Sequence, residues 1–194
     1  MVDPLALSRA EVEFLLRVRP PALDSLRTEL HLAPADADAG GRSLTARGLC
    51  RFAGGRVVFA AAVAAVADGL SRADRLIRLL GWDGDRPVVA HLLTGPGVHI
   101  GLVSARPDRF TAHRPGRAES LRDQVARFLD RHLTGKRRST LLVRTAGATG
   151  SVDLAVAVDD DGTWSMSDTL ASPTRTSPSS RDLAVARIAE LVTR

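Results

Sequence analysis

Between Asp74 and Arg114 the chain reads as four short β-rich runs with almost nothing between them. "RLIRLLGW", "RPVVAHLL", "GVHIGLVS" and "DRFTAHR" are separated only by "DGD", "TGPG" and "ARP". A parallel pair of strands needs a crossover of a dozen or more residues, and these connections are far shorter. The runs therefore have to pair with their sequence neighbours as an antiparallel meander. A strongly amphipathic helix follows, "RAESLRDQVARFLDRHL", with Ala118, Leu121, Val125, Phe128 and Leu129 on one stripe. Strands then resume with "RSTLLVRT", "SVDLAVAV" and "GTWSMSD", turned at "AGATG" and "DDDG". The Ser/Thr/Pro-rich segment "ASPTRTSPSS" reads as a loop leading to a last helix, "RDLAVARIAELV". Strands outnumber the helices between them, which predicts an α+β fold with a mainly antiparallel central sheet and flanking helices. The order suggests a quasi-two-fold β-β-β-α repeat.

Residues 1–70 read differently, as an N-terminal helical, winged-helix-like subdomain. Residues 71–194 form the sheet with two packed helices around one shared core. "LSRAEVEFLLRV" is a helix with a Ser8–Glu11 capping box, and Leu7, Ala10, Phe14, Leu15 and Val18 share a face. Pro20 and Pro21 stop it, and a short helix follows around Leu23–Leu30. "APADADAGG" is either a loop or the acidic start of the next helix. That helix ends at Arg47, where Gly48 supplies the left-handed cap and Leu49 folds back as an apolar clasp. The two-glycine turn of "AGGRVVF" leads into a strand, and "AAAVAAVADG" is a short helix closed by Gly69.

Composition limits the function classes. The net charge is +5, yet 26 residues are Arg and only Lys136 is Lys, with no Asn and no Tyr. That bias follows GC-rich codons and points to an actinobacterium or a similar high-GC bacterium. The arginines are interleaved with Asp and Glu and form no basic tail, so nucleic acid is not the expected partner. The lone Cys50 excludes an internal disulfide and a cysteine-cluster metal site, and reads as packing. No run approaches the ~18–20 apolar residues of a membrane helix, and no signal peptide is legible, so a cytoplasmic protein is expected.

No recognisable catalytic set stands in the sequence. There is no G-x-S-x-G elbow, and "TGKRRS" lacks both the first glycine and the Ser/Thr of a phosphate loop. "DDDGTWSMSDTL" is too tightly spaced for a calcium loop, with Leu170 where the bidentate Glu belongs, and reads as a polar hairpin turn. The five histidines show no metal-ligand spacing, although His91 and His99 fall on neighbouring strands. No enzyme, cofactor or metal is expected. The apolar loop "LLTGPGVHI" is the candidate partner contact, through Leu92, Leu93, Thr94, Val98 and Ile100; the competing reading is an ordinary hairpin with Val98 and Ile100 in the core.

Three patterns, in order, resemble the EspG family of cytosolic chaperones of type VII (ESX) secretion. They are "LTARGLC" with "GGRVVFAAAVAAVADGL", "SRADRLIRLL" opening the sheet, and "DDDGTWSMSD" followed by "RDLAVARIAELV". The resemblance implies a non-catalytic chaperone or adaptor that binds a secreted PE–PPE or WXG-type protein. Here the second half is shortened: only "HLTGKRR" separates the long amphipathic helix from the next strand, leaving out the helical subdomain of that half. The alternative is a winged-helix DNA-binding regulator with a C-terminal sensor domain, resting on the helix and two-glycine turn of Ser43–Phe59. A small enzyme of unrecognised type ranks last.

Overall fold

The computed structural model describes residues 4–83, 86–106, 108–113, 120–133, 139–147, 150–167 and 177–193. The chain divides into two compact units. The first comprises Met1–Asp74 and Leu93–Arg114, the second Arg75–Leu92 and Pro115–Arg194. The fold is α+β, with a large antiparallel sheet and flanking helices, as the turn spacing predicts.

The first unit starts with a strand, β1 (Leu5–Ser8), then α1 (Arg9–Val18), α2 (Leu26–Glu29) and, after a 3-10 turn, α3 (Ala37–Ala46). A separate hairpin, β2 (Cys50–Ala53) and β3 (Arg56–Phe59), precedes α4 (Ala61–Arg72). The end of β5 (Arg86–Gly95), with β6 (Val98–Arg106) and β7 (Arg109–His113), completes the unit, and the strand order there is β1-β7-β6-β5.

Helix α1 organises this unit. Its capping box forms as expected: Ser8 Oγ accepts from the Glu11 N–H, and the Ser8 N–H donates to Glu11 Oε2 at 2.8 Å. The expected single apolar face does not describe it. Leu7 lies in β1, buried opposite Phe110, while Ala10 and Val18 are half-buried. Every residue from Glu11 to Leu16 is buried, two carboxylates included. Burying a carboxylate is costly unless it is paired and hydrogen-bonded. Arg47 Nη1 meets Glu11 at 2.8 and 2.9 Å and Ser43 Oγ donates to the same group, while Arg27 Nε reaches Glu13 at 3.0 Å. Both arginines also donate to backbone carbonyls, Arg47 to Ala6 and Arg27 to Leu16. The arginine partner of Glu11 lies 36 residues away along the chain, beyond the reach of a local periodicity.

The glycine stop after α3 forms as read. Gly48 has φ 68°, its N–H bonds to the Thr45 carbonyl, and the Leu49 N–H reaches back to Leu44 at 2.8 Å. These two bonds make a Schellman cap. Gly54 and Gly55 both have positive φ and join β2 to β3 as a two-residue turn, with Ala53 paired to Arg56. Gly69, by contrast, does not close α4, which continues to Arg72. It is a packing glycine: a Cβ there would lie 2.0 Å from Ile100 Cδ1.

The second unit holds the start of β5, β4 (Arg75–Asp83), α5 (Leu121–His132), β8 (Ser139–Gly147), β9 (Gly150–Val158), β10 (Trp164–Ser167), β11 (Ser177–Ser179) and α6 (Arg181–Thr193). Its strand order is β5-β4-β8-β9-β10-β11. The segment read as a Ser/Thr/Pro loop contributes the short strand β11, paired with β10; its first part, through 176, lies outside the described residues. Ala118 also lies outside them, but Val125, Phe128 and Leu129 of the predicted stripe are buried. Ser120 adds a capping box with Asp123 that the sequence reading passed over. Six residues separate α5 from β8, too few for a helical subdomain there.

Close approach makes Gly40 a sensitive position. A Cβ on it would sit 1.9 Å from the Ala10 carbonyl oxygen, where α3 crosses α1. Backbone cannot move aside as a side-chain tip can, so Gly40→Ala is expected to lower the unfolding free energy by about 1–3 kcal/mol. Urea denaturation measures it, and an unchanged midpoint would contradict this packing.

Candidate docking surface

The five residues read as a contact loop lie in strands. Thr94, Val98 and Ile100 are 7%, 4% and 2% exposed, Leu93 is fully buried, and so is Leu92 in the second unit at 5%. This corrects the contact-loop expectation in favour of the competing hairpin reading. β5 and β6 are joined by the exposed two-residue turn Pro96–Gly97, and the apolar side chains on either side point inward. In the first unit Val98 and Ile100 pack against Gly69 of α4. A Pro-Gly pair flanked by apolar residues is the signature of a tight turn between two core strands, which a partner-binding loop can share at sequence level.

The second unit presents a different surface. Ile77 and Leu79 of β4, Leu141 and Val143 of β8, and Leu154 and Val156 of β9 are buried on one face. Helices α5 and α6 contact each other and both contact β4 and β8, so they cover the same face. Gly81 permits the approach: a Cβ there would meet His132 and Phe128 of α5 at 3.0 and 3.3 Å. His132 is buried, with its ring 4.3 Å from that of Phe128 and Nδ1 3.0 Å from the Trp82 carbonyl. Arg181 Nε and Nη2 bind the two Asp130 oxygens at 2.5 and 2.7 Å, fixing the start of α6 to α5. That ion pair raises the Arg181 guanidinium pKa further.

Side chains alternate across a strand, so the intervening residues form the opposite face. Leu80 pairs across to Leu142, Leu142 to Ala155, and Ala155 to Ser167. The first three are half-buried, as are Trp82 and Ala157. With strands about 4.8 Å apart, the row spans roughly 14 Å, which suits one helix of about 10 Å diameter. Beside it runs a charged row, Arg78 opposite Arg144 and Arg144 opposite Asp153. Asp153 takes the Arg144 fork at 2.7 and 3.0 Å. Those hydrogen bonds from Arg144 hold the Asp153 carboxyl below the ordinary carboxylate range. This face is apolar in one row and ionic in the next.

The base-reading alternative gains little from α3. Its exposed positions are Asp38, Ala39, Arg42, Thr45 and Ala46, one cation in five. A recognition helix needs several polar side chains reaching the base edges. The two histidines noted on neighbouring strands differ in environment, His91 buried and His99 exposed. Asp161, in the acidic turn after β9, accepts from the Thr163 N–H at 2.8 Å, as in a polar hairpin turn. No group of three or more metal-ligating side chains converges among the described residues. No described helix is long and apolar enough to cross a membrane.

No protein-family model matches the sequence, and no curated protein matches it. Among solved structures, the chain is similar to the Mycobacterium tuberculosis type VII secretion system chaperone EspG5, solved in complex with a PE25–PPE41 dimer. The TM-score is 0.60 at 10% identity, over 98% of this chain and 96% of that chain. At that identity the likeness is one of fold.

Acid titration follows from the ion pairs of this unit. Asp153 is held low by Arg144, and Asp123 by the Ser120 hydroxyl and then the Ser120 backbone N–H. A depressed native pKa means that the unfolded chain takes up these protons first as pH falls. Their contribution is complete above about pH 4 and lost as pH drops through the lowered native values. Thermal melts below pH 4 are expected to show a shallower loss in Asp153→Asn than in the parent; parallel curves would contradict the pairing.

Proposed function

We propose that this chain is a non-catalytic chaperone or adaptor of type VII secretion. It holds a secreted helical protein of the PE–PPE or WXG type against the open face of β4-β8-β9. One observation carries the reading: the aligned row Leu80–Leu142–Ala155, half-buried on the face opposite α5 and α6. Apolar surface left on a rigid sheet favours a helix laid across it, at roughly 25 cal/mol per Å² buried before the costs of association. The fold likeness to EspG5, which was solved with a PE25–PPE41 dimer, supports the same class of partner.

Co-expression with each PE–PPE pair or WXG-type protein encoded beside the gene is the direct experiment. One of them is expected to co-purify as a stable complex. Leu80→Asp with Leu142→Asp is expected to weaken it at least about tenfold, with circular dichroism unchanged. No complex with any neighbour, or full binding by the double variant, would contradict the proposal.

A further inference from the structure

The hairpin β2–β3 is a second surface, independent of the sheet face above. It forms a two-stranded sheet of its own, and among the described residues no other strand pairs with either edge. In an antiparallel ladder closed by a two-residue turn, alternate pairs are hydrogen-bonded. Ala53–Arg56 and Arg51–Val58 occupy the bonded positions, so the N–H and C=O of Phe52 point away from β3, toward the free edge of β2.

The side chains on this hairpin are unusual for a solvated wing. Phe52 is 63% exposed, the most exposed large hydrophobic among the described residues, although its ring meets that of Phe14 edge-on with centroids 6.4 Å apart. Val58 is 39% exposed on the other face of the hairpin, directly opposite Arg51. Arg56 shares that face, opposite Ala53. Several cations of the first unit are matched, Arg17 with Asp38, Arg19 with Asp68, Arg27 with Glu13 and Arg47 with Glu11, whereas the exposed Arg42, Arg72 and Arg106 make no ion pair among the described residues. Arg51 and Arg56 have no carboxylate partner among the described residues, and both are exposed.

We propose that the free edge of β2 receives an extended acidic segment of another protein, with carboxylates over Arg51 and Arg56 and apolar side chains against Phe52. Strand addition supplies backbone hydrogen bonds, and alternate side chains then read the two faces of the hairpin. The charge pattern selects carboxylates. A phosphate backbone is the poorer fit, because residues 1–74 carry nine Arg against nine Asp and Glu and so generate no sustained positive field. An exposed Phe and Val also suit a peptide better than a sugar-phosphate chain.

The probe is a fluorescein-labelled octapeptide of alternating Glu and Val, followed by fluorescence anisotropy against the full chain. A Lys–Val octapeptide and a 20-base-pair DNA duplex are the controls. Saturable binding of the Glu–Val peptide alone is expected. R51E/R56E is expected to weaken it at least about tenfold, and Phe52→Ser about fivefold. These side chains are exposed, so melting curves should stay within about 2 °C of the parent, which separates lost binding from lost fold. No binding, equal binding of both peptides, or insensitivity to R51E/R56E would overturn the proposal. Duplex binding that R51E/R56E abolishes, without peptide binding, would assign the hairpin to nucleic acid instead.

Discussion

Two helices lying side by side can cover only one face of a sheet. That constraint governs the second unit. α5 and α6 are joined by the Arg181–Asp130 fork and seat together on Ile77, Leu79, Leu141 and Val143, with Gly81 giving α5 room. The ladder β4-β8-β9 then fixes what the other face shows, because its register puts Leu80, Leu142 and Ala155 in one line. No catalytic geometry is needed to explain why those side chains stand there; a partner that removes them from water is sufficient.

The ionic row beside the apolar one adds direction. Arg78 and Arg144 face each other across β4 and β8, a repulsive arrangement in isolation. Asp153 neutralises Arg144 from β9. Binding by apolar contact alone tolerates many orientations, whereas charged groups at its border penalise most of them.

Much of the fold was legible because it is written in short-range signals. Four β-rich runs with short turns, Gly48 after a helix, Gly54–Gly55 between strands and Ser8 with Glu11 each specify a local geometry, and each appears as read. The misreadings share a cause: they depend on partners distant in the chain. β1 exists because β7, about a hundred residues later, pairs with it. Gly69 serves contact with Ile100. The buried carboxylates Glu11 and Glu13 depend on Arg47 and Arg27. The proposed contact surface was the least legible part, since Leu92, Leu93, Thr94, Val98 and Ile100 carry the same residue types whether they face a partner or a core. The aligned row was present in the alternation of β4, β8 and β9, but only the register reveals that its members stand together.

Hydroxyl-radical footprinting with residue-level mass spectrometry, on the chain alone and with a co-purifying PE–PPE or WXG-type protein, reads this account most directly. Leu80, Trp82 and Leu142 should be oxidised in the free protein and protected in the complex, while Leu79 and Val143 stay unmodified in both. Leu80 and Leu142 already protected in the free chain, or equally oxidised with the partner bound, would contradict it.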